Sequence, residues 1–392
     1  MSRSKPAIIP PPMRTALEIL FWLSAGLLVY SQFVYPLLVA LFAPRRQSDP
    51  AELAEAKLPT VSLIVAAYKE GSVIADKVAN TYALDYPRER LQLIVACDGS
   101  PDATAKLARD SGADLVLDLP HGGKMAAQNA AVDAATGDVL AFSDANTMWQ
   151  PDALRRLVAA IDATGTDYVC GNVSFVNDSG TNQEGLYWRY EMWLRERESR
   201  LRSVTAGNGA IYAVRPAAYA DIAPTTGHDL TLPFSVVKRG GRASYEPLAR
   251  ATETMVPSVE GEFKRKRRMM SFAWPIILHG GMLDPRRYGL TYAWMMFSHR
   301  VLRYLAPLLH LSALFTSAAL AIDSTAYAVL LGLQLALIAA ALVARLVPLR
   351  PLLIARYYVL TTTAVALGLF DYLRQGTEAT LDAGWAPPEG TR

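Results

Sequence analysis

Hydrophobic positions along this chain fall into three regimes. The first is a nearly unbroken apolar run from Ala16 to Phe42, interrupted by Glu18, Ser24, Ser31 and Gln32. It exceeds the roughly 20 residues that a helix needs to cross the hydrocarbon core of a bilayer. It is also too long for the apolar region of a signal peptide, and no small-x-small cleavage motif follows it. The run therefore predicts a retained membrane anchor. Three more runs of spanning length lie at the other end, at Tyr304–Ile322, Ala326–Val347 and Leu352–Leu369.

The second regime lies between about Leu58 and Pro257, where the period changes repeatedly. Short continuous apolar runs, rich in β-branched residues, occur at Val61–Ala67, Leu91–Cys97, Leu115–Leu117, Val139–Ser143 and Tyr168–Val173. Helical patterns separate them, over Ser72–Tyr82, Ala103–Asp110, Met125–Ala135 and Asp152–Ala163. Strands that are apolar on both faces and alternate with helices predict an α/β fold, Rossmann-like, with a mainly parallel sheet covered by flanking helices.

The third regime separates that domain from the later spans. Glu262–Trp274 contains the run Lys264-Arg265-Lys266-Arg267-Arg268, and Arg286, Arg287, Arg300 and Arg303 are interleaved with Tyr288, Tyr292, Trp294 and Phe297. Basic and aromatic residues mixed in this way predict amphipathic helices at the inner membrane face, although plain juxtamembrane charge accounts for most of them. The boundaries that follow are an anchor over 1–50, an α/β domain over 51–260, interface helices over 261–303, and three spans with a tail over 304–392.

Charge distribution orients these pieces. The connection at Asp323-Ser324-Thr325 carries no basic residue, whereas the next carries Arg345, Arg350 and Arg356. The positive-inside rule places the second connection and, threading back, the whole α/β domain in the cytoplasm. Arg45 and Arg46 agree with that orientation; Arg3, Lys5 and Arg14 oppose it. The expectation is an integral protein of a bacterial-type inner membrane, in contact with membrane lipids.

Composition narrows the classes further. Hydrophobic residues make up 52% of the 392 residues and charged ones 19%, so the chain is not disordered. A net charge of +3 gives no electrostatic case for a nucleic-acid partner. The two cysteines, Cys97 and Cys170, form neither a disulfide framework nor a zinc-site spacing, and are expected as buried thiols.

In a parallel α/β sheet, ligands bind beyond the carboxyl ends of the strands. Here those ends are polar: Tyr68-Lys69-Glu70 after the first run, Asp98-Gly99-Ser100 after the second, and Asp144-Ala145-Asn146 after Val139–Ser143. Any one of these acids alone could be a turn or helix-cap residue. Three converging on one sheet edge indicate a site.

The segments VSLIVAAYKE (61–70), IVACDGSPDAT (94–104), GGKMAAQNAAV (122–132), LAFSDANT (140–147) and GHDLTLPFSVVKRGGRASYEP (227–247) resemble, in order and spacing, a membrane-integrated family 2 glycosyltransferase with a GT-A domain. The resemblance covers about two hundred residues and extends to polysaccharide synthases of the cellulose, hyaluronan and chitin type. It implies inverting transfer of a sugar from a nucleotide sugar, a UDP-sugar in particular, with Mg²⁺ or Mn²⁺ as cofactor. Displacing a nucleoside diphosphate builds negative charge on the leaving group, which a divalent cation and fixed basic groups stabilise.

The same resemblance assigns roles. Asp144 is the first metal ligand, and Asn146 stands where the family usually has the second Asp, with less charge to offer a hard cation. Ala67, Tyr68 and Glu70 flank the base pocket, and Asp98 lies near base and ribose. Lys124 matches the lysine that reaches a phosphate, its Gly-Gly lead-in letting backbone approach a ligand; the alternative is a surface lysine. Asp229 occupies the position of the catalytic base, preceded by His228 in place of an acid; it could also cap a helix starting at Leu230. Arg265 and Arg268 fall on the first position and the arginine of the Gln-x-x-Arg-Trp motif of processive members, but Gln is replaced by Arg265 and Trp by Met269.

Losing that indole removes a sugar-stacking platform, for which Trp188, Trp193 or Trp274 could substitute. Trp188–Arg202 and Gly207-Asn208-Gly209 resemble the acceptor side, although Tyr187, Tyr190 and Trp193 could equally pack a helix onto the sheet. The acceptor implied is a growing glycan. Two alternatives stand beside it: a single transfer to a polyprenyl-phosphate or lipid-linked acceptor, and a non-catalytic nucleotide-sugar scaffold of a secretion complex. With about four spans, a homo-oligomer or a secretion partner would serve any export.

Overall fold

The structure is a computed structural model that describes residues 9–45, 55–163, 165–176, 184–221, 223, 227–254 and 259–376. Of the expectations above, those on Arg3, Lys5 and Arg46 lie outside the described residues. The chain divides into two compact units, with breaks at Leu41/Phe42, Met295/Met296 and Leu367/Gly368.

Among the described residues the larger unit holds eight strands: β1 (Val61–Ala67), β2 (Leu91–Asp98), β3 (Leu115–Leu119), β4 (Val139–Asp144), β5 (Thr147–Trp149), β6 (Tyr168–Val176), β7 (Ile211–Val214) and β8 (Ala243–Thr254). They form one sheet in the order β3-β2-β1-β4-β7-β6-β8-β5. The β1, β2, β3 and β4 strands pair in parallel, as do β6 and β8, while β7 runs antiparallel to β4 and β6, and β5 antiparallel to β8. The sheet is mixed and mostly parallel, as expected. The apolar runs predicted five of the eight strands. Missed were short β5 and β7, and β8, whose polar and charged positions break any continuous apolar run.

Every residue of β1 is buried, because helices cover both sheet faces at its centre. Its side chains join those of β2 and β4 in the main core with Ile74, Val78, Leu154, Leu157 and Val158 from the flanking helices. Truncating Leu63 there to alanine would destabilise by about 2–5 kcal/mol. Helix Ile74–Tyr82 shows how the pattern works locally: its buried face is Ile74, Lys77, Val78 and Thr81, the spacing of a helical stripe, with one lysine among apolar neighbours.

Among the described residues four helices are long and apolar enough to cross a membrane: Pro11–Phe42, Leu290–Leu320, Thr325–Val343 and Arg350–Arg374. In the smaller unit the Phe21 ring meets Tyr327 edge-on at 5.3 Å, the Trp22 indole donates to the Tyr327 hydroxyl at 3.0 Å, and Ser24 bonds Ser312 at 2.9 Å. Large apolar side chains such as Phe33, Leu37, Leu41 and Phe315 point outward, a surface suited to hydrocarbon rather than water. The helix expected from Tyr304 begins at Leu290 and includes π-helical turns over Met296–Val301, so Tyr292, Trp294 and Phe297 belong to it. The basic stretch Lys264–Arg268 lies on a separate helix, Val259–Leu278.

Candidate functional site

Strand β1 is flanked by β2 on one side and β4 on the other, so the connections leaving these three strands diverge at their carboxyl ends. That is where open α/β sheets open a crevice. The polar strand ends meet there. The β1 connection is tied to the β2 connection by three side chains of the latter. Ser100 Oγ accepts the Lys69 N–H at 2.9 Å, Thr104 Oγ1 the Glu70 N–H at 2.9 Å, and Asp102 the Gly71 N–H at 3.2 Å. Lys69 adopts a left-handed φ of 57°, which turns the chain sharply after the strand. The adjoining Tyr68 ring stacks on His121 at 4.9 Å, so these two rings wall the region expected for the base.

Asp98 is buried at the end of β2 and accepts the N–H groups of Gly122 and Gly123 at 2.7–3.1 Å, while His121 Nδ1 lies 2.9 Å from its Oδ2. Gly99 at φ 62° makes room for this: a Cβ there would sit 2.7 Å from the His121 nitrogen. Asp98 therefore holds the Gly-Gly segment that leads into helix Lys124–Asp133. Lys124, the first residue of that helix, reaches across to form an ion pair with Asp144 at the end of β4.

Asn146 follows on the β4–β5 turn, and its Nδ2 donates to Glu253 Oε1 at 3.4 Å. Glu253 was not foreseen; it comes from β8, whose antiparallel pairing with β5 sets Glu253 opposite Thr147. Burial and then the neighbouring Asp144 charge push its carboxyl up to about 7, with Arg265 and Lys124 acting in the opposite sense. Below the same turn, Lys77 is fully buried, donates to the Thr147 carbonyl at 2.6 Å and lies 5.4 Å from the Trp149 ring centroid. Desolvation pulls Lys77 down to about 7 against the Asp144 charge. Asn80, one turn on, clamps the backbone of Trp149 with two hydrogen bonds of 2.9 Å. A lone lysine in an apolar stripe was the only sequence signal for this support.

Asp229 lies in the first turn of helix His228–Lys238, whose cap position is Gly227 and which has no side-chain cap bond. The alternative of Asp229 as a cap is thereby corrected: the helix starts two residues earlier than Leu230, leaving the carboxylate inside the first turn. Burial raises the Asp229 carboxyl, and Lys124 and Arg195 oppose that shift. Its carbonyl accepts the Gly207 N–H at 2.6 Å, docking the Gly207–Gly209 loop on the helix start. A Cβ on Gly207 would fall 1.9 Å from the Tyr168 hydroxyl, and one on Gly209 2.7 Å from His228 Nε2, so both positions exclude side chains. His228 is buried, bonded through Nδ1 to the Tyr212 hydroxyl at 2.8 Å, and held well below its ordinary value by burial and then Lys124. Its ring also lies edge-on to that of Tyr212, at 5.1 Å between centroids.

On helix Val259–Leu278, Arg265 lies within electrostatic reach of Glu253, and burial with Arg265 as neighbour lowers Arg268. Trp188 is engaged in packing, its indole bonded to the Val173 carbonyl at 2.7 Å and edge-on to Phe175; Trp274 is buried. Trp193 is half-buried, its indole stacked with Tyr190 and covered by the Arg197 guanidinium.

Among the described residues no three His, Cys, Asp or Glu side chains gather closely enough to hold a metal ion by themselves. Two carboxylates and one amide do share the β4–β5 corner: Glu253 accepts from Asn146 Nδ2 and lies within electrostatic reach of Asp144. Hard-oxygen donors of this kind suit Mg²⁺ or Mn²⁺ when substrate phosphates complete the shell, so the residues fit such an ion.

A family model described as Glycosyl transferase family 2 matches residues 62–219. Glycosyltransferase AglE of Haloferax volcanii is 28% identical over 177 residues, covering 44% of this chain and 57% of the relative. Poly-beta-1,6-N-acetyl-D-glucosamine synthase of Staphylococcus aureus is 24% identical over 57% of this chain and 56% of its own. The chain thus spans somewhat over half the length of these curated relatives. The solved structure of mannosyltransferase PcManGT from Pyrobaculum calidifontis, in complex with GDP-Man and Mn²⁺, shares the fold with a TM-score of 0.70 at 20% identity, over 93% of this chain and 99% of that one.

Proposed function

We propose that this protein, whose residues 62–219 match a glycosyl transferase family 2 model and whose fold is shared with a solved mannosyltransferase, transfers a sugar, with inversion, from a nucleotide sugar to a growing polysaccharide or glycan at the cytoplasmic face of a membrane. The observation that carries the reading is the meeting of Lys124, Asp144 and Asp229 at one sheet edge: the Lys124 charge acts on Asp229 while its ammonium pairs with Asp144. A binding module has no need of a buried carboxylate beside a phosphate lysine.

Each residue then has a task. Ala67, Tyr68 and Glu70 line the base side, and Asp98 holds the loop that presents Lys124. Lys124 exchanges Asp144 for a phosphate of the donor. Asp144 and Asn146 would hold Mg²⁺ or Mn²⁺, which when bound offsets negative charge on the leaving diphosphate. Arg265 and Arg268 add fixed positive charge on the same side. Asp229, whose upward shift by burial is opposed by Lys124 and Arg195, takes the proton from the acceptor hydroxyl in its ionised form.

A UDP-sugar is the donor implied by the motifs, and the GDP-Man complex of the Pyrobaculum mannosyltransferase makes a GDP-sugar the second candidate. Replacement of the motif tryptophan by Met269 favours a second reading of the acceptor, single transfer to a polyprenyl-phosphate or lipid-linked glycan. The test is nucleoside diphosphate release by the full chain in detergent or nanodiscs, with UDP- and GDP-sugars and Mn²⁺ or Mg²⁺. Release with one donor, abolished by Asp229→Asn and Asp144→Ala, is expected; a polymer ladder or a single organic-soluble increment then separates the acceptors. Donor binding without release, with membrane extract present, would overturn catalysis in favour of a scaffold.

A further inference from the structure

The β4–β5 corner carries an asparagine at the position where an acidic residue is expected, and the amide of Asn146 donates through Nδ2 to Glu253. Nothing in the local sequence compensates for that lost charge. The tertiary pairing of β5 with β8 does, by setting Glu253 opposite Thr147, one residue from Asn146. We propose that Glu253 replaces the missing acid of the metal motif, acting with Asp144 and the Asn146 amide oxygen as the third protein donor to the divalent cation. This inference rests on the metal-dependent reading above.

Charge and donor chemistry both support it. An amide oxygen is a weaker donor to a hard cation than a carboxylate, so Asp144 with Asn146 alone is one negative charge short of a two-aspartate site. Adding Glu253 restores the count. Asn146, by donating through nitrogen to Glu253, leaves its carbonyl oxygen as the coordinating atom of that amide. The basic groups acting on Glu253 are Lys124 and Arg265, both of which have tasks on the donor's phosphates. Once the diphosphate engages them, Asp144 and Glu253, which repel one another electrostatically, lose their counter-charge, and a divalent cation would supply it.

The experiment is Mn²⁺ binding to the full-length protein in detergent with saturating UDP or GDP, whichever binds, read by loss of the free-ion electron paramagnetic resonance signal. Asp144→Ala is expected to abolish binding, and Glu253→Gln to weaken it about tenfold or more. Asn146→Asp introduced into Glu253→Gln should restore it to near the wild-type value, because the charge returns to the same corner. That double variant also guards against misfolding, since rescue requires an intact site. Glu253→Gln binding Mn²⁺ as the wild type does, or no rescue in the double variant, would overturn the inference and leave the metal reading standing. A wild-type protein that binds nucleotide but no Mn²⁺ would overturn both.

Discussion

Both carboxylate oxygens of Asp98 accept the N–H of Gly123, at 3.1 and 3.0 Å, which locks the residue before Lys124 to the end of β2. Gly123 has φ 89°, so this bond holds a conformation that few other residues would adopt. Asp98→Ala strands two loop N–H groups and is expected to destabilise by about 1–3 kcal/mol. Nucleoside diphosphate affinity should fall with it, since Lys124 loses its seat. Urea unfolding and calorimetric UDP or GDP titration check the two effects; unchanged affinity in a folded variant would deny Asp98 its positioning role.

Lys124 is ion-paired with Asp144 in the described structure and must release it to contact a donor phosphate. Lys124→Met should weaken nucleoside diphosphate binding by about tenfold to a hundredfold, the worth of a hydrogen bond to a charged group. Affinity for the bare nucleoside should hardly change. The dependence of diphosphate affinity on salt should flatten in the variant, because a half-buried charge contact still open to solvent is lost. Equal losses for nucleoside and diphosphate would place Lys124 elsewhere than at the phosphates.

Burial raises the Asp229 carboxyl above the ordinary carboxylate range. A base must be ionised, so activity is expected to rise with pH through that raised value and to be lost as pH falls through it. The acidic limb of kcat/KM against pH should therefore lie higher than for an exposed aspartate. Asp229→Asn should abolish turnover while leaving thermal stability close to wild type, because the amide keeps the shape of the side chain and an acceptor oxygen for the first-turn N–H groups. An acidic limb that persists in residual Asp229→Asn activity would assign it to another group.

Lys77 tests the support under the β4–β5 turn. Its ordinary value of 10.5 falls to about 7 in the folded state, so between these limits the unfolded chain binds the proton more readily. Stability contributed through Lys77 hence grows as pH rises from about 7 towards 10.5, and is lost as pH falls through that window. Lys77→Met should flatten this part of the melting-temperature profile, although it also forfeits the bond to the Thr147 carbonyl. Matching wild-type and variant slopes would mean that Lys77 does not titrate there.

The candidate site was legible in the sequence wherever a residue follows directly from a strand that is apolar on both faces. Val61–Ala67, Leu91–Cys97 and Val139–Ser143 announce β1, β2 and β4, and the polar residues after them form the crevice. Lys124 and Asp229 were legible through their resemblance to family motifs, and the structure sets Lys124 directly after Gly123 and Asp229 in the first turn after Gly227. Glu253 was not, since β8 alternates polar with apolar residues and its partner β5 is three residues long. Lys77 showed only as a charge within a helical stripe.

Local pattern determined the strands of the parallel half, the helices between them, the apolar spans and the residues at the strand ends, because periodicity and turn chemistry act over a few neighbouring residues. Tertiary structure decided which of those residues meet. The pairing of β5 with β8 brings Glu253 to Asn146 across 107 positions of sequence, and the fold buries Asp229 and Lys77 deeply enough to shift their protonation. Long-range register and desolvation depend on the whole packed sheet, and no short stretch of sequence contains them.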